Sequence, residues 1–429
     1  LNMAGTSKDH VVVIGSSIAG LLSAAAMSPY YSRVILVDND TFSDEGKVRK
    51  ATPQGHHVHG LLSSGWTALQ KLLPGVEGRL KQMGAEWVDF GKEFRWHHFG
   101  EFKANFEDLM EGPFMSRTCF ETAVRAEVTA LGNVEFHSDT VVGFIGDHSE
   151  LRGVRLASGG EIDAARVVDA SGRASRCPHW LEEIGVSAPQ VQTLAAGLRY
   201  SSCRFKVSAD HDAERWKALF VIPKPPETMS GAVFPQEDGN WLVTLAGRKK
   251  DTMPTDHEDF LEYAKQLGCP DVYEAIKDAE PLSALAHYRF KESRRYFYEK
   301  ISPPNSLLVI GDSVCSFNPI FGQGMTVCIL EALKMSELME LGECDAQSYF
   351  KSISAIVNHA WEMITVEDMR YPELHSQRSL KIKMMQQLTQ RVYEKTSEDG
   401  ALNKMLYEVI HFKRPATDLC KPWVLFRLL

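Results

Sequence analysis

Apolar positions in the first forty residues fall into two runs separated by a turn. Val11–Ile14 is wholly apolar, Gly15-Ser16-Ser17-Ile18-Ala19-Gly20 follows, small and apolar residues continue to Met27, and Val34–Val37 ends on Asp38 and Asn39. Buried strand, glycine turn, helix and second strand make a βαβ unit. Residues 41–60 are polar, which predicts a loop, and Ser63–Leu73 has helical spacing up to Pro74-Gly75. Residues 76–112 are irregular and aromatic, with Trp87, Phe90, Phe94, Trp96, Phe99, Phe102 and Phe106. Helical spacing returns from Arg117 to Leu131. Strand-like runs follow at 134–136, 141–145, 151–156 and 166–169, with a turn at Gly159-Gly160. Four more, at 198–205, 218–222, 230–234 and 241–246, suggest an antiparallel sheet. Phe260–Ala279 reads as one helix, Leu307–Ile310 as a buried strand and Met325–Leu341 as a long apolar helix. The chain after about 345 reads as helix, with a final loop rich in Pro, Trp and Phe.

Two segments carry chemistry. A pyrophosphate sits well at a helix N-terminus, where free N–H groups and the dipole favour negative charge. Gly15, Ser17, Ile18, Ala19 and Gly20 form such a turn, and Asp38 closes the next strand where it can accept hydrogen bonds from ribose hydroxyls. Ser17 stands where the usual fingerprint has its middle glycine. The second segment is Leu307-Leu308-Val309-Ile310-Gly311-Asp312, then Phe317-Asn318-Pro319, then Gly322-Gln323-Gly324-Met325 opening a helix. Its carboxylate can bind polyol hydroxyls, and its helix start can stabilise an electron-rich ring.

These signals predict an α/β fold. Its parts are a discontinuous Rossmann-like dinucleotide domain over 1–75, 112–190 and 300–344, an inserted antiparallel-sheet substrate domain over 76–111 and 191–299, and a helical region over 345–429. The net charge of −9 and the lack of a basic stripe exclude a nucleic-acid partner. Eight scattered cysteines with no Cys-x-x-Cys fit a reducing, cytoplasmic compartment. Val11–Met27 contains Gly and Ser and breaks at Ser28-Pro29, so it reads as strand plus helix rather than a membrane span or signal peptide. Leu1-Asn2 ahead of Met3 read as expression remnants. For His56, His57 and His59, with His97 and His98, no nearby Cys or Asp/Glu set completes a site, so no metal is expected. There is no Gly-x-Ser-x-Gly elbow of a serine hydrolase.

Together the two segments resemble the class A flavoprotein monooxygenases, the aromatic-hydroxylase family with a p-hydroxybenzoate-hydroxylase-like fold. The run from Gly311 through Met325 is similar to that family's Gly-Asp segment residue by residue. The run from Pro53 through Leu62, Pro-Gln-Gly-His-His-Val-His-Gly-Leu-Leu, resembles bacterial, epoxidase-like members of natural-product pathways. The resemblance implies FAD as cofactor, with Asp312 at the ribityl chain, Gly322–Met325 facing the flavin ring and Arg117 reaching its flavin side; Arg49, His59, Asp169 and Pro319 are further expected cofactor contacts. In the middle motif, Val168-Asp169-Ala170-Ser171-Gly172-Arg173, Ser171 stands at the family's aspartate position. That motif is associated with both FAD and the nicotinamide donor.

The reaction so implied is transfer of one O2-derived oxygen atom, through a flavin C4a-hydroperoxide, to a small apolar or aromatic substrate by hydroxylation or epoxidation. NAD(P)H, or a separate flavin reductase, would supply electrons. The flavin carries the chemistry, so no side chain is assigned as catalytic. The rival readings are a reductase of the same fold, similar to the geranylgeranyl reductases, and a non-catalytic flavin-binding protein. A halogenase should carry Trp-x-Trp-x-Ile-Pro, which this chain lacks.

Overall fold

The computed structural model describes residues 9–40, 53–207, 211 and 215–428. Arg49 lies outside them. Five parallel strands form the first sheet, in the order Leu307–Val309, Arg166–Asp169, His10–Ile14, Arg33–Asp38, Val134–Ser138. The apolar run at Val11–Val13 is needed because its strand is central, covered on both faces and fully buried. Helix Ile18–Met27 packs against helices Arg117–Thr129 and Gly324–Leu341. A three-stranded antiparallel sheet, Val141–Gly146, Leu151–Leu156 and Glu161–Asp163, adds Phe144, Leu151 and Val154 to the same core.

The second large sheet has eight strands. They run Cys315–Ser316, Ala286–Tyr296, Val191–Phe205, Trp241–Arg248, Ser230–Pro235, Ala218–Ile222, Phe94–His98, Glu101–Phe102. The four runs expected to form an antiparallel sheet do pair antiparallel, and one parallel pair, Ala218–Ile222 with Phe94–His98, extends that sheet. Chain continuity fixes where the two large sheets meet. Leu307–Val309 ends the first, Cys315–Ser316 edges the second, and residues 311–324 bridge them before helix Gly324–Leu341.

Several elements differ from the sequence reading. Phe260–Ala279 is two short helices, His257–Lys265 and Asp271–Ile276, because Pro270 cannot continue the first. In the strand Ala286–Tyr296, Tyr288 and Phe290 alternate with charged residues, but the wholly polar run Lys291–Arg295 that follows gives no apolar pattern for its second half. Val191–Phe205 begins before residue 198 because a register shift between Ala195 and Leu198 lets it continue along Ala286–Tyr296. Residues 76–112 include helix Val76–Gln82 and the paired strands Glu86–Asp89 and Glu111–Phe114. The final segment holds a short helix, Pro422–Arg427.

Candidate functional site

The glycine turn leaves the central parallel strand and is pinned at both ends. Gly15 N–H donates to the Val37 carbonyl at 2.8 Å, and Gly15 takes φ +99°. A Cβ on Gly15 would lie 2.6 Å from the Ala170 carbonyl oxygen, and one on Gly20 would lie 1.9 Å from the carbonyl oxygen of Gly15. Neither position admits a side chain, so helix Ile18–Met27 starts hard against the strand end. Ser17 is its N-cap with no side-chain capping bond, and Ile18 is buried below the turn.

Helix Arg117–Thr129 faces this turn with residues spaced four apart. Arg125 Nη2 donates to the Ser16 carbonyl at 2.6 Å, Arg117 Nη2 reaches Ser17 Oγ at 3.4 Å, and Glu121 lies between them, 3.9 Å from Arg117 and 3.8 Å from Arg125. Arg117 was read from the sequence. Glu121 and Arg125 were not, although their i,i+4 spacing after Arg117 is visible there. Asp38 stands at the end of its strand, where one carboxylate oxygen accepts from Ser16 N–H at 2.7 Å and from Ser16 Oγ at 2.9 Å. The other accepts from Asp40 N–H at 2.9 Å, and Asn39 between them is exposed.

The Gly311 segment meets the fingerprint from the other side. A Cβ on Gly311 would come within 3.2 Å of Ala19 Cβ, so the two segments from opposite ends of the chain are in contact. Gly311 N–H donates to Glu331 Oε2 at 2.7 Å, and Glu331 Oε1 has no partner among the described residues. Burial pushes the Glu331 carboxyl up to about 8, so it is largely protonated at neutral pH. Asp312 is solvent-exposed yet ringed by protein, which places it in the wall of a cleft. It makes no hydrogen bond or ion pair within the described residues. Desolvation by the surrounding protein raises its pKa against the pull of Arg117, Arg173 and Arg294.

Beyond Asp312 the loop is anchored from beneath. Asn318 is fully buried and donates to both carboxylate oxygens of Asp368, at 2.9 and 3.1 Å, while its own Oδ1 accepts from Ile320 N–H at 3.0 Å. Pro319 is exposed, and Gly322 takes φ +62° to turn the chain into the helix. A Cβ on Gly322 or Gly324 would meet nothing within 4 Å, so the helix start and the partly buried Met325 behind it border open space. Gln323 is buried and contacts Met363 Sδ through Nε2 at 3.6 Å.

Asp169 is placed differently. Its carboxylate is fully buried and accepts from Ser171 N–H, Ser171 Oγ and Ser175 Oγ. Burial raises its pKa. His59 hydrogen-bonds through Nδ1 to the His57 carbonyl at 2.8 Å. Burial and the nearby Arg117 hold it at about 3, so its ring is neutral. His57 docks the loop on the second sheet through Ser202 Oγ at 2.7 Å. Among the described residues no group of three or more His, Cys, Asp or Glu is arranged for a metal ion, and no helix is long and apolar enough to cross a membrane.

A cavity of about 430 Å³ opens beside the same loop. Ile320, Phe321 and Gln323 form one wall, and Phe94, Trp96 and Phe220 of the second sheet form another. Helices of the C-terminal region close it. The aromatic stretch thus serves both as core and as wall, because Phe90 and Trp96 belong to a buried cluster with Tyr393 and Tyr407 while lining the cavity.

No family model matches the chain. It is 30% identical over 344 residues to Protein Rv3254 of Mycobacterium tuberculosis, covering 76% of this chain and 72% of that protein. It is 21% identical to kynurenine 3-monooxygenase of Legionella pneumophila (strain Lens) over 86% of this chain and 80% of the relative. Among solved structures, the flavin-dependent brominase Bmp2 superposes with a TM-score of 0.67 at 16% identity, covering 97% of each chain.

Proposed function

Because the chain belongs to the class A FAD-dependent monooxygenase family, we propose that it binds FAD across the Gly15 and Gly311 segments and oxygenates a small organic substrate held in the adjoining cavity. The observation that carries this reading is that one loop serves both sites. Asp312 stands in the cleft with no partner among the described residues, and Phe321 and Gln323, further along the same loop, form part of the cavity wall.

The residues present fit the cofactor. The Asp312 carboxylate, without a partner among the described residues, suits a polyol, the turn at Gly15–Gly20 opens a helix toward a pyrophosphate, and the open space over Gly322 and Gly324 leaves room for a ring against a helix N-terminus. Arg117 and Ser17 extend this surface, and Asp38 and Asn39 lie at the ribose end. When bound, FAD supplies the activation of O2. This chain's own residues would bind and orient it: Gly322 and Gly324 would leave space for the ring, Gln323 and Phe321 would stand between it and the substrate cavity, and the apolar walls would exclude water. His59 is neutral and near Arg117, where it orders the loop without adding charge. We read Asp169 as a brace for the Ser171–Ser175 turn, not as a cofactor ligand. Electrons would reach the flavin from NAD(P)H directly or from a separate flavin reductase.

The test is an absorbance spectrum of the FAD-loaded protein, followed by anaerobic NADPH or NADH and then air. Flavin bands that bleach and then return support direct use of the nicotinamide. Bands that persist while chemically reduced flavin still reacts assign reduction to a separate protein. Protein that takes up no FAD overturns the reading.

A further inference from the structure

The cavity wall contains charged side chains, and each is already paired. Arg248 binds Asp368 at 2.7 Å, Glu367 binds Arg370 at 2.9 Å, and Glu362 binds Lys381 at 3.2 Å. An ionised ligand would find no uncompensated opposite charge there, and would lose its hydration on entry.

One polar ring in the wall differs from the rest. His411 follows helix Gly400–Ile410 and is 2% exposed. Its Nδ1 accepts the Ser63 backbone N–H at 2.9 Å, and its carbonyl accepts from Ser64 Oγ. An imidazole nitrogen that accepts from an amide carries no proton, so in the neutral ring the proton is on Nε2. Burial, which holds His411 at about 3, keeps the ring neutral across the physiological range. Nε2 has no partner among the described residues, and the ring lines the cavity, packed edge-on against Phe90 at 4.5 Å between centroids. The donor is fixed relative to the proposed flavin site by a short relay. Ser63 N–H holds His411, the preceding Leu62 N–H donates to Thr326 Oγ1 at 3.0 Å, and Thr326 lies two residues after Gly324 on the helix that borders the cleft.

We propose that His411 is a specificity-determining residue whose Nε2–H donates to a carbonyl or ether oxygen of a neutral, largely aromatic substrate in this cavity. The inference rests on the proposed function for its setting, and it names the substrate class that the site accepts. A neutral hydrogen bond of this kind contributes about 0.5–1.5 kcal/mol, or roughly three- to tenfold in affinity. Bound substrate would be held by an anchor rigid with respect to the Gly322–Gly324 turn, so the same contact sets which atom faces the cofactor.

The probes are 9-fluorenone, fluorene and fluorene-9-carboxylate, titrated into the FAD-loaded protein and followed by tryptophan fluorescence, since Trp96 and Trp361 line the cavity. His411→Asn keeps a side-chain oxygen able to accept from Ser63 N–H but withdraws the donor from the cavity. His411→Gln extends an amide N–H to about the place of Nε2. The ratio of fluorenone to fluorene affinity is expected to fall roughly three- to tenfold in His411→Asn and to be largely restored in His411→Gln. The carboxylate is expected to bind most weakly throughout. A ratio unchanged in His411→Asn, tight carboxylate binding, or no binding of either neutral probe would overturn the proposal. The readout needs no turnover, so it can fail while flavin reduction persists, and it can hold in a protein that never reduces its flavin.

Discussion

The guanidinium of Arg248 donates to the carboxylate of Asp368 at 2.7 Å, and neither side chain is more than 6% exposed. The pair joins the second sheet to helix Ala346–Asp368, and Asn318 adds the cleft loop to the same carboxylate. Arg248 also donates to the Ala196 carbonyl at 3.0 Å and lies over the Tyr371 ring at 3.5 Å. Removing one partner leaves the other charge buried and uncompensated. Asp368→Ala is therefore expected to cost about 3–5 kcal/mol in chemical denaturation and to weaken FAD binding as the loop loses its anchor. A stability matching the parent's would show that the pair adds nothing net.

Asp312 should behave in the opposite way. It is exposed in the cleft and bonds no group among the described residues, so Asp312→Ala is expected to leave the unliganded protein within about 0.5 kcal/mol of the parent. FAD affinity should drop by roughly one to two orders of magnitude, the effect of losing a hydrogen bond to a charged group worth about 1.5–3 kcal/mol. Isothermal titration with FAD, alongside a melt of the unliganded protein, separates the two. Unchanged FAD affinity would remove Asp312 from the site.

The fold class was legible because its main signals are local. Val11–Ile14 and Leu307–Ile310 are unbroken apolar runs, and strands buried on both faces need such runs. Gly15 and Gly20 also announce themselves, since only a residue without Cβ fits there. Ala286–Tyr296 was hidden because Lys291–Arg295 is polar on both faces and breaks the alternation begun at Tyr288. The anchors of the cleft were hidden for a different reason. Asp368 reaches Asn318 from fifty residues away and Glu331 reaches Gly311 from twenty, and no periodicity reports such pairings. His411 is the extreme case, because its partner Ser63 lies 348 positions earlier. Asp169 looked like part of a binding motif, but its strand position and two serines turn its carboxylate inward.

Gly20 gives a steric prediction. A Cβ there would sit 1.9 Å from a backbone oxygen, far inside contact distance, and the nearby Gly15 cannot withdraw because its N–H is bonded to Val37. Gly20→Ala must push helix Ile18–Met27 away from the strand end. The expected loss is about 1–3 kcal/mol, with FAD uptake abolished because the helix start no longer meets the pyrophosphate position. Near-parental melting together with normal FAD content would contradict this geometry.

Glu331 gives a pH dependence with a definite sign. Burial raises its carboxyl from the ordinary value of 4.5 to about 8 in the folded protein. Below pH 4.5 both folded and unfolded chains hold the proton, and its contribution to stability is fully present. Between 4.5 and about 8 the unfolded chain releases the proton while the folded chain keeps it, so stability falls as pH rises. Above about 8 both forms are ionised and the loss is complete. Glu331→Gln keeps an oxygen to accept Gly311 N–H but cannot ionise. The variant should therefore match the parent near pH 4.5 and become progressively more stable than it up to about pH 8. Urea denaturation of both proteins across that range measures the difference directly, and titrating groups common to both cancel. A difference that stays flat across the range would mean that Glu331 is already ionised when folded, with its charge met by a group near Gly311.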